Sequence, residues 1–327
     1  MNTANDTVLD VEHLSVHYPV TDAHGRRALL HAVEDVSFSV ARGRTLGIVG
    51  ESGSGKSSIA RALLRLVPAA AGVARFLGRD LLALQGKELQ AARRQLQMIF
   101  QDPLASLDPR MTVEEIIGEP LRVHRPAQSR HDRRAAVLAM MERVGLAREH
   151  LQRFPHEFSG GQAQRIGIAR ALILEPDLVV CDEPLSALDV SIKSQISNLL
   201  KDLQQEFGLT LLFISHDLAS VRFSCDEVLV LYLGRVMEIA PRDELFDHPR
   251  HPYTRALLEA VPIPDPQAAR ARRVTLLEGE LPSALAPPSG CVFRTRCPIA
   301  TERCARELPL LRPLGSAQFA CHYAEAD

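Results

Sequence analysis

An α/β fold is predicted by three observations. The stretch 47–58, G-I-V-G-E-S-G-S-G-K-S-S, is entered through an apolar run at 46–49 and precedes a helical pattern at 59–66. Two further short runs, 178–181 and 209–214, are almost wholly apolar and flank a long helical pattern over Val190–Phe207, as expected of parallel strands buried on both faces. Segments within 8–40 instead alternate apolar with polar residues, the period of half-buried antiparallel strands.

In order, 8–40 forms an antiparallel β region interrupted by a loop at 19–27, which carries proline, glycine, aspartate and arginines. The turn-and-helix unit of 47–66 follows. Residues 73–84 suit a strand and turn, and 87–95 a polar helix leading into the apolar run of L-Q-M-I-F-Q, which ends at Gln101. Helical spacing at 130–144 and 161–174 makes 104–174 a mainly helical insertion, after which the β-α-β rhythm resumes. Residues 228–240 supply further strands and 251–261 a helix. Pro262, Pro264 and Pro266 mark a linker. The expected domains are therefore 1–262 and a C-terminal extension, 263–327.

The 327 residues exceed one typical domain, and 46% hydrophobic with 24% charged is ordinary globular composition. A net charge of -2 gives no electrostatic reason to expect nucleic acid as a partner. No run of about 18 apolar residues occurs, and residues 1–10 are polar and acidic, so neither a membrane span nor a secretory leader is expected. Six cysteines in such a chain point to reduced thiols or metal ligation rather than a disulfide framework.

Gly50, Gly55, Lys56 and Ser57 satisfy G-x-x-x-x-G-K-[ST], the P-loop. Its turn, Gly50, Glu51, Ser52, Gly53, Ser54, Gly55, Lys56, Ser57 and Ser58, is expected to cradle the phosphates of ATP at a helix N-terminus. Lys56 supplies a point charge and Ser57 a hydroxyl for Mg2+. The run L-V-V-C-D-E would deliver Asp182 and Glu183 to the ligand edge of an open α/β sheet. Asp182 suits magnesium, directly or through water, and Glu183 suits the base that orients the attacking water.

The stretch F-S-G-G-Q-A-Q-R-I-G-I-A-R at 158–170 resembles the signature of the ATP-binding cassette ATPases. Its Ser159, Gly160, Gly161 and Gln162 open a helix and make a second anion-receptive start in a chain that already has one. The resemblance implies a RecA-like P-loop NTPase core of cassette type, in which two subunits face head to tail and each signature closes on ATP held by the other. It further implies that Gln101 senses the γ-phosphate and magnesium beside the surface for the membrane subunits. By the same resemblance Asp189, in S-A-L-D, belongs to a loop between the ATPases, His216 is the switch histidine and Tyr18 stacks on adenine. Phe158 departs from the usual leucine without altering the chemistry, and Leu185 stands where many members have threonine.

H-P-Y-T-R-A-L-L-E-A-V-P at 251–262, with the cysteine-bearing tail, is similar to the ATPase subunits of oligopeptide and dipeptide importers. D-P-L-A-S-L-D-P-R-M-T and L-L-E-G-E-L-P-S look most like the second of the two ATPases such importers pair. The resemblance implies an ATPase peripheral to the cytoplasmic face of a bacterial inner membrane. Its partners would be a second, different ATPase, two transmembrane permease subunits and, through the complex, an extracytoplasmic substrate-binding protein. Nickel or glutathione importers share these features. A soluble cassette ATPase of DNA repair or translation, or a scaffold without turnover, are the competing readings. Cys291, Cys297, Cys304 and Cys321, spaced by five, six and sixteen residues, are wider than most zinc pairings. A [4Fe-4S] cluster, zinc and metal-free thiols all remain open there.

Overall fold

The computed structural model describes residues 6–21, 25–261 and 279–324. Its contacts divide the chain into two units. One comprises residues up to Leu9, Ser39–Thr45 and Arg75–Ile214; the other comprises Asp10–Phe38, Leu46–Ala74 and the chain from Ser215 onward. By these contacts the tail falls in the same unit as the P-loop. The loop predicted at 19–27 and the linker from Pro262 lie partly or wholly outside the described residues.

In the first unit, β6 (Leu96–Ile99), β7 (Leu178–Asp182) and β8 (Thr210–Ser215) run parallel. Every residue of β7 and β8 is buried, which is why these strands read as continuous apolar runs. The helical insertion contains α3 (Val113–His124), α4 (Arg130–Arg143) and α5 (Gly160–Leu172). Side chains fix where the three begin: Thr112, Ser129 and Ser159 each accept a hydrogen bond from the helix's third residue. The long helix α6 (Val190–Phe207) connects β7 to β8 and ends at Gly208 in the left-handed region.

The second unit contains most of β1 (Thr7–Thr21) and β2 (Arg27–Ala41), which are neighbours in one sheet; the end of β2, 36–41, shows the alternating burial its sequence predicts, whereas β1 buries Val8–Leu9 and Leu14–Val16 consecutively. Its other sheet takes β3 (Thr45–Val49), which pairs parallel with β9 (Glu227–Tyr232) from Leu46 on. β9 then pairs antiparallel with β10 (Arg235–Pro241). The tail adds β12 (Ala317–Phe319) to β10, and β11 (Arg312–Leu314) to β12. The helix α1 (Lys56–Leu63) follows β3, and α9 (Pro252–Glu259) follows β10. A buried aromatic group binds the tail to this core: Phe293 lies 5.3 Å, ring centre to ring centre, from both Tyr232 on β9 and Tyr253 on α9. Among the described residues, no helix is long and apolar enough to cross a membrane.

Candidate nucleotide site

In the second unit, β3 delivers the chain to the turn Gly50–Gly55, and α1 begins at Lys56. Gly55 caps α1 with φ +106°, and a Cβ there would stand 2.2 Å from the carbonyl oxygen of Ala32 on β2. Glycine is therefore required by conformation and by space together. Lys56 is 5% exposed, and its ammonium donates to the carbonyls of Gly50 and Glu51, both at 2.9 Å, and to Ser54 Oγ at 3.4 Å. The lysine is held over its own loop with α1's first N–H groups beside it, so positive potential collects at one helix tip. Ser57 and Ser58 occupy the first turn of α1. Tyr18 belongs to the same neighbourhood, its hydroxyl donating to Ser58 Oγ at 3.3 Å. His216, just past β8, is exposed on the segment that enters α7 (Leu218–Ser224).

Two residues holding this loop carry no local sequence signal for that role. The Tyr253 hydroxyl accepts from the Glu51 amide at 3.0 Å, and Arg296 of the tail donates to the Glu51 carboxylate at 2.8 Å. The H-P-Y-T-R stretch drew notice only as a family resemblance, and Arg296 not at all. A second unforeseen group gathers His17, His31 and Glu34, where both imidazoles hydrogen-bond the same carboxylate oxygen at 2.9 and 2.8 Å. Partial burial opposes it, but these bonds hold the Glu34 carboxyl below its ordinary range.

In the first unit, β7 ends on Asp182, 4% exposed, and the chain turns at Glu183 with φ +47°, a left-handed conformation rare for a side chain of this kind. The turn is locked from both ends. Glu183 N–H donates to the Ile214 carbonyl at 2.9 Å, and the Glu183 carbonyl accepts from Ser186 Oγ at 3.0 Å. Gln101, past the end of β6, donates its amide to Glu183 Oε2 at 3.1 Å, so two residues distant in sequence meet where parallel strands end. Directly below, burial pushes the Cys181 thiol up to about 12, which marks it as a packing residue.

The signature forms a second helix start within this unit. Ser159 caps α5 in a reciprocal arrangement: its N–H donates to Gln162 Oε1 at 3.1 Å while its hydroxyl accepts from the Gln162 amide. A Cβ on Gly161 would stand 2.6 Å from Cγ2 of Ile192 on α6, so that glycine lets two helices approach closely. Asp189 stands at the N-cap of α6 without a side-chain capping bond.

In the tail, Cys291, Cys297, Cys304 and Cys321 line one enclosed cavity with His251, Phe293 and His322. Burial is the main cause that raises the Cys291 thiol and pushes Cys297 up to about 11. Among the described residues, only His17, His31 and Glu34 form a trio with ligand atoms all within 4.8 Å of one another, so the four sulfurs are spread more widely.

Comparison with known proteins agrees with these motifs. The ABC transporter family matches residues 33–186, and the oligopeptide/dipeptide transporter C-terminal region matches 237–304. The oligopeptide transport ATP-binding protein OppF of Salmonella typhimurium is 54% identical over 98% of this chain and 96% of its own. This chain belongs to the ATP-binding cassette family. OppF of Escherichia coli is 55% identical over 93% of this chain and 92% of its own. Among solved structures, the dimeric post-hydrolysis cassette MJ0796 bound to ADP and Pi has a TM-score of 0.64 at 28% identity, covering 72% of this chain and 98% of that one. The cassette cbiO1 from Clostridium perfringens, part of the cbiONQ complex, matches with the same TM-score at 27% identity, covering 74% of this chain and 92% of that one. The α/β fold expected from the P-loop and buried strands, and the cassette type implied by the signature resemblance, are the fold of this family.

Proposed function

We propose that this chain is the ATP-hydrolysing subunit of an oligopeptide importer, the counterpart of its OppF relatives, peripheral to the cytoplasmic face of the membrane. The observation that carries this reading is the presence of two anion-receptive helix starts, at Lys56 and at Ser159, in different compact units of one chain. One nucleotide uses one cradle, so the second start is there for ATP bound to a partner ATPase.

Each residue has a part in this reading. The Gly50–Ser58 turn binds the phosphates, Tyr18 stacks on adenine, and Ser159, Gly160, Gly161 and Gln162 cover the partner's nucleotide. Glu183 orients the hydrolytic water, with its carboxylate aimed by Gln101. His216 contacts the γ-phosphate, and Asp189 lies at the contact between ATPases. Ser57, Asp182 and Gln101 each offer an oxygen of the hard type magnesium takes. Magnesium would neutralise phosphate charge, while the protein's own residues hold the water and exclude solvent.

In the same reading the tail cavity holds a metal group on Cys291, Cys297, Cys304 and Cys321, an iron–sulfur cluster or, as the alternative, zinc. Four thiolates on one tetrahedral zinc stand about 3.8 Å apart, given a Zn–S length of about 2.3 Å. A [4Fe-4S] cluster instead takes each thiolate on a separate iron, and metal analysis distinguishes the two. Bound there, such a group would tie together segments that otherwise rest on a small apolar cluster.

Affinity purification from solubilised membranes tests the assignment. Two integral membrane proteins and a second ATPase are expected, with ATP hydrolysis stimulated by peptide presented on a binding protein. Recovery of ribosomes or DNA repair proteins, or stimulation by nickel or glutathione and not by peptide, would overturn it. Iron and labile sulfide assayed on anaerobically prepared protein test the tail; finding neither excludes the cluster.

A further inference from the structure

We infer that Arg296, in the cysteine-bearing tail, is a positioning residue of the phosphate cradle, acting by neutralising and orienting Glu51 inside the P-loop. The inference rests on the reading of Gly50–Ser58 as that cradle. Glu51 brings a negative charge into a loop whose task is to receive polyanions, a placement that by itself repels phosphate. Arg296 answers that charge directly, 2.8 Å from Glu51 Oε2, with its side chain only 10% exposed. Burial opposes ionisation, but the adjacent carboxylate keeps the guanidinium charged.

The contact fixes geometry as well as charge. The Glu51 carbonyl accepts from Lys56 Nζ, and the Glu51 amide donates to Tyr253, whose ring packs on Phe293 three residues before Arg296. Peptide group and carboxylate of one P-loop residue are thus both held from outside the loop, by α9 and by the tail. The same guanidinium lies 5.9 Å from the ring centre of Tyr232 on β9 and interacts with its hydroxyl, so Arg296 is held between the buried aromatic group and the Glu51 carboxylate.

Equilibrium titration of the purified full-length chain with a fluorescent ATP analogue in the presence of magnesium tests this, alongside thermal unfolding of each variant. R296A is expected to weaken nucleotide binding about tenfold, because an unpaired carboxylate is left facing the phosphates. The double variant E51Q/R296A should recover most of that loss, since the charge needing an answer is gone. R296K should fall between wild type and R296A, keeping the charge but losing the fork geometry. Equal loss in R296A and E51Q/R296A would overturn the electrostatic role, as would wild-type affinity in R296A. A structural role alone would lower the unfolding temperature of both variants without rescue of binding. K56A serves as the control: if it binds nucleotide as tightly as wild type, the cradle reading itself fails, whereas loss in K56A with none in R296A refutes only the part given to Arg296.

Discussion

Gly55→Ala should damage the chain twice, and the two contributions can be separated. An L residue at φ +106° costs at least the left-handed penalty of about 1–2 kcal/mol. The new Cβ would also lie 2.2 Å from Ala32 O and 3.3 Å from Ala32 C, both backbone atoms, so no side chain can swing aside. The contact must open by about 0.8 Å to reach the 3.0 Å below which Cβ contacts are essentially never seen. β2 cannot easily retreat, because the Glu34 amide is tied to the Gly234 carbonyl at 2.9 Å. The displacement therefore passes to the loop and to α1, whose first bonds run from Ser58 and Ile59 to the Gly55 carbonyl. We expect about 2–4 kcal/mol lost from stability, and about 10²-fold from nucleotide affinity for a misplacement of roughly 1 Å. Gly53→Ala supplies the comparison, since Gly53 has φ +78° but nothing within 4 Å of the methyl that alanine would add, leaving only the conformational penalty of about 1–2 kcal/mol. Urea unfolding and nucleotide titration of both variants measure the difference. If G55A and G53A lose equal stability, or if G55A binds nucleotide within threefold of wild type, the steric argument at Ala32 is wrong.

Three other perturbations follow. Glu183→Gln should lower ATP turnover by about 10²-fold or more while nucleotide affinity stays near wild type, as it removes a base and leaves the cradle untouched; turnover at the wild-type rate would refute the role. Burial holds His251 neutral, its pKa lowered to about 3 although a hydrogen bond to the Ala320 backbone works the other way. The unfolded imidazole binds a proton below about 6.5, so the unfolded state takes up more protons and stability falls as pH drops from about 6.5 toward 3, with about 2 kcal/mol lost at pH 5. Buried Glu238, its pKa raised chiefly by desolvation, contributes the opposite slope above the ordinary carboxylate range, so the comparison is between wild type and His251→Gln, and identical pH profiles would contradict the assignment. Phe293→Ala empties a fully buried site between Tyr232 and Tyr253 and should cost about 3–5 kcal/mol, read as a lower urea midpoint; a loss below about 1 kcal/mol would mean the tail is not held by this cluster.

What the sequence disclosed divides along physical lines. Almost wholly apolar runs announced β7 and β8 because a strand buried on both faces has little room for polar positions outside its ends. The starts of α4 and α5 were legible within a residue, because Ser129 and Ser159 bond to the backbone three residues ahead and leave a local trace. The tail hairpin left a fainter signal. Gly315 and Ser316 between Leu314 and Ala317 are turn chemistry for a two-residue connection, but Pro313 and the brevity of both strands hid it, and nothing local says that β12 pairs with β10.

Long-range charge pairing leaves no trace of that sort, and the consequence is sharpest at Glu51. Within the P-loop pattern position 51 is a free choice, and a reader of the motif alone sees a polar residue of no consequence. In the folded chain its carboxylate is matched by a guanidinium 245 positions away, on a segment that the proline-rich linker marks as a separate module. Proline and glycine punctuation reports where the backbone turns, and carries no information about where a terminal module docks. Burial of Phe293 against Tyr232 and Tyr253 decides that docking, and Arg296, three residues further on, meets the Glu51 carboxylate. The cradle's electrostatics are therefore set by packing at the far end of the chain, so the lesion that best exposes the arrangement lies in the tail and is read at the nucleotide.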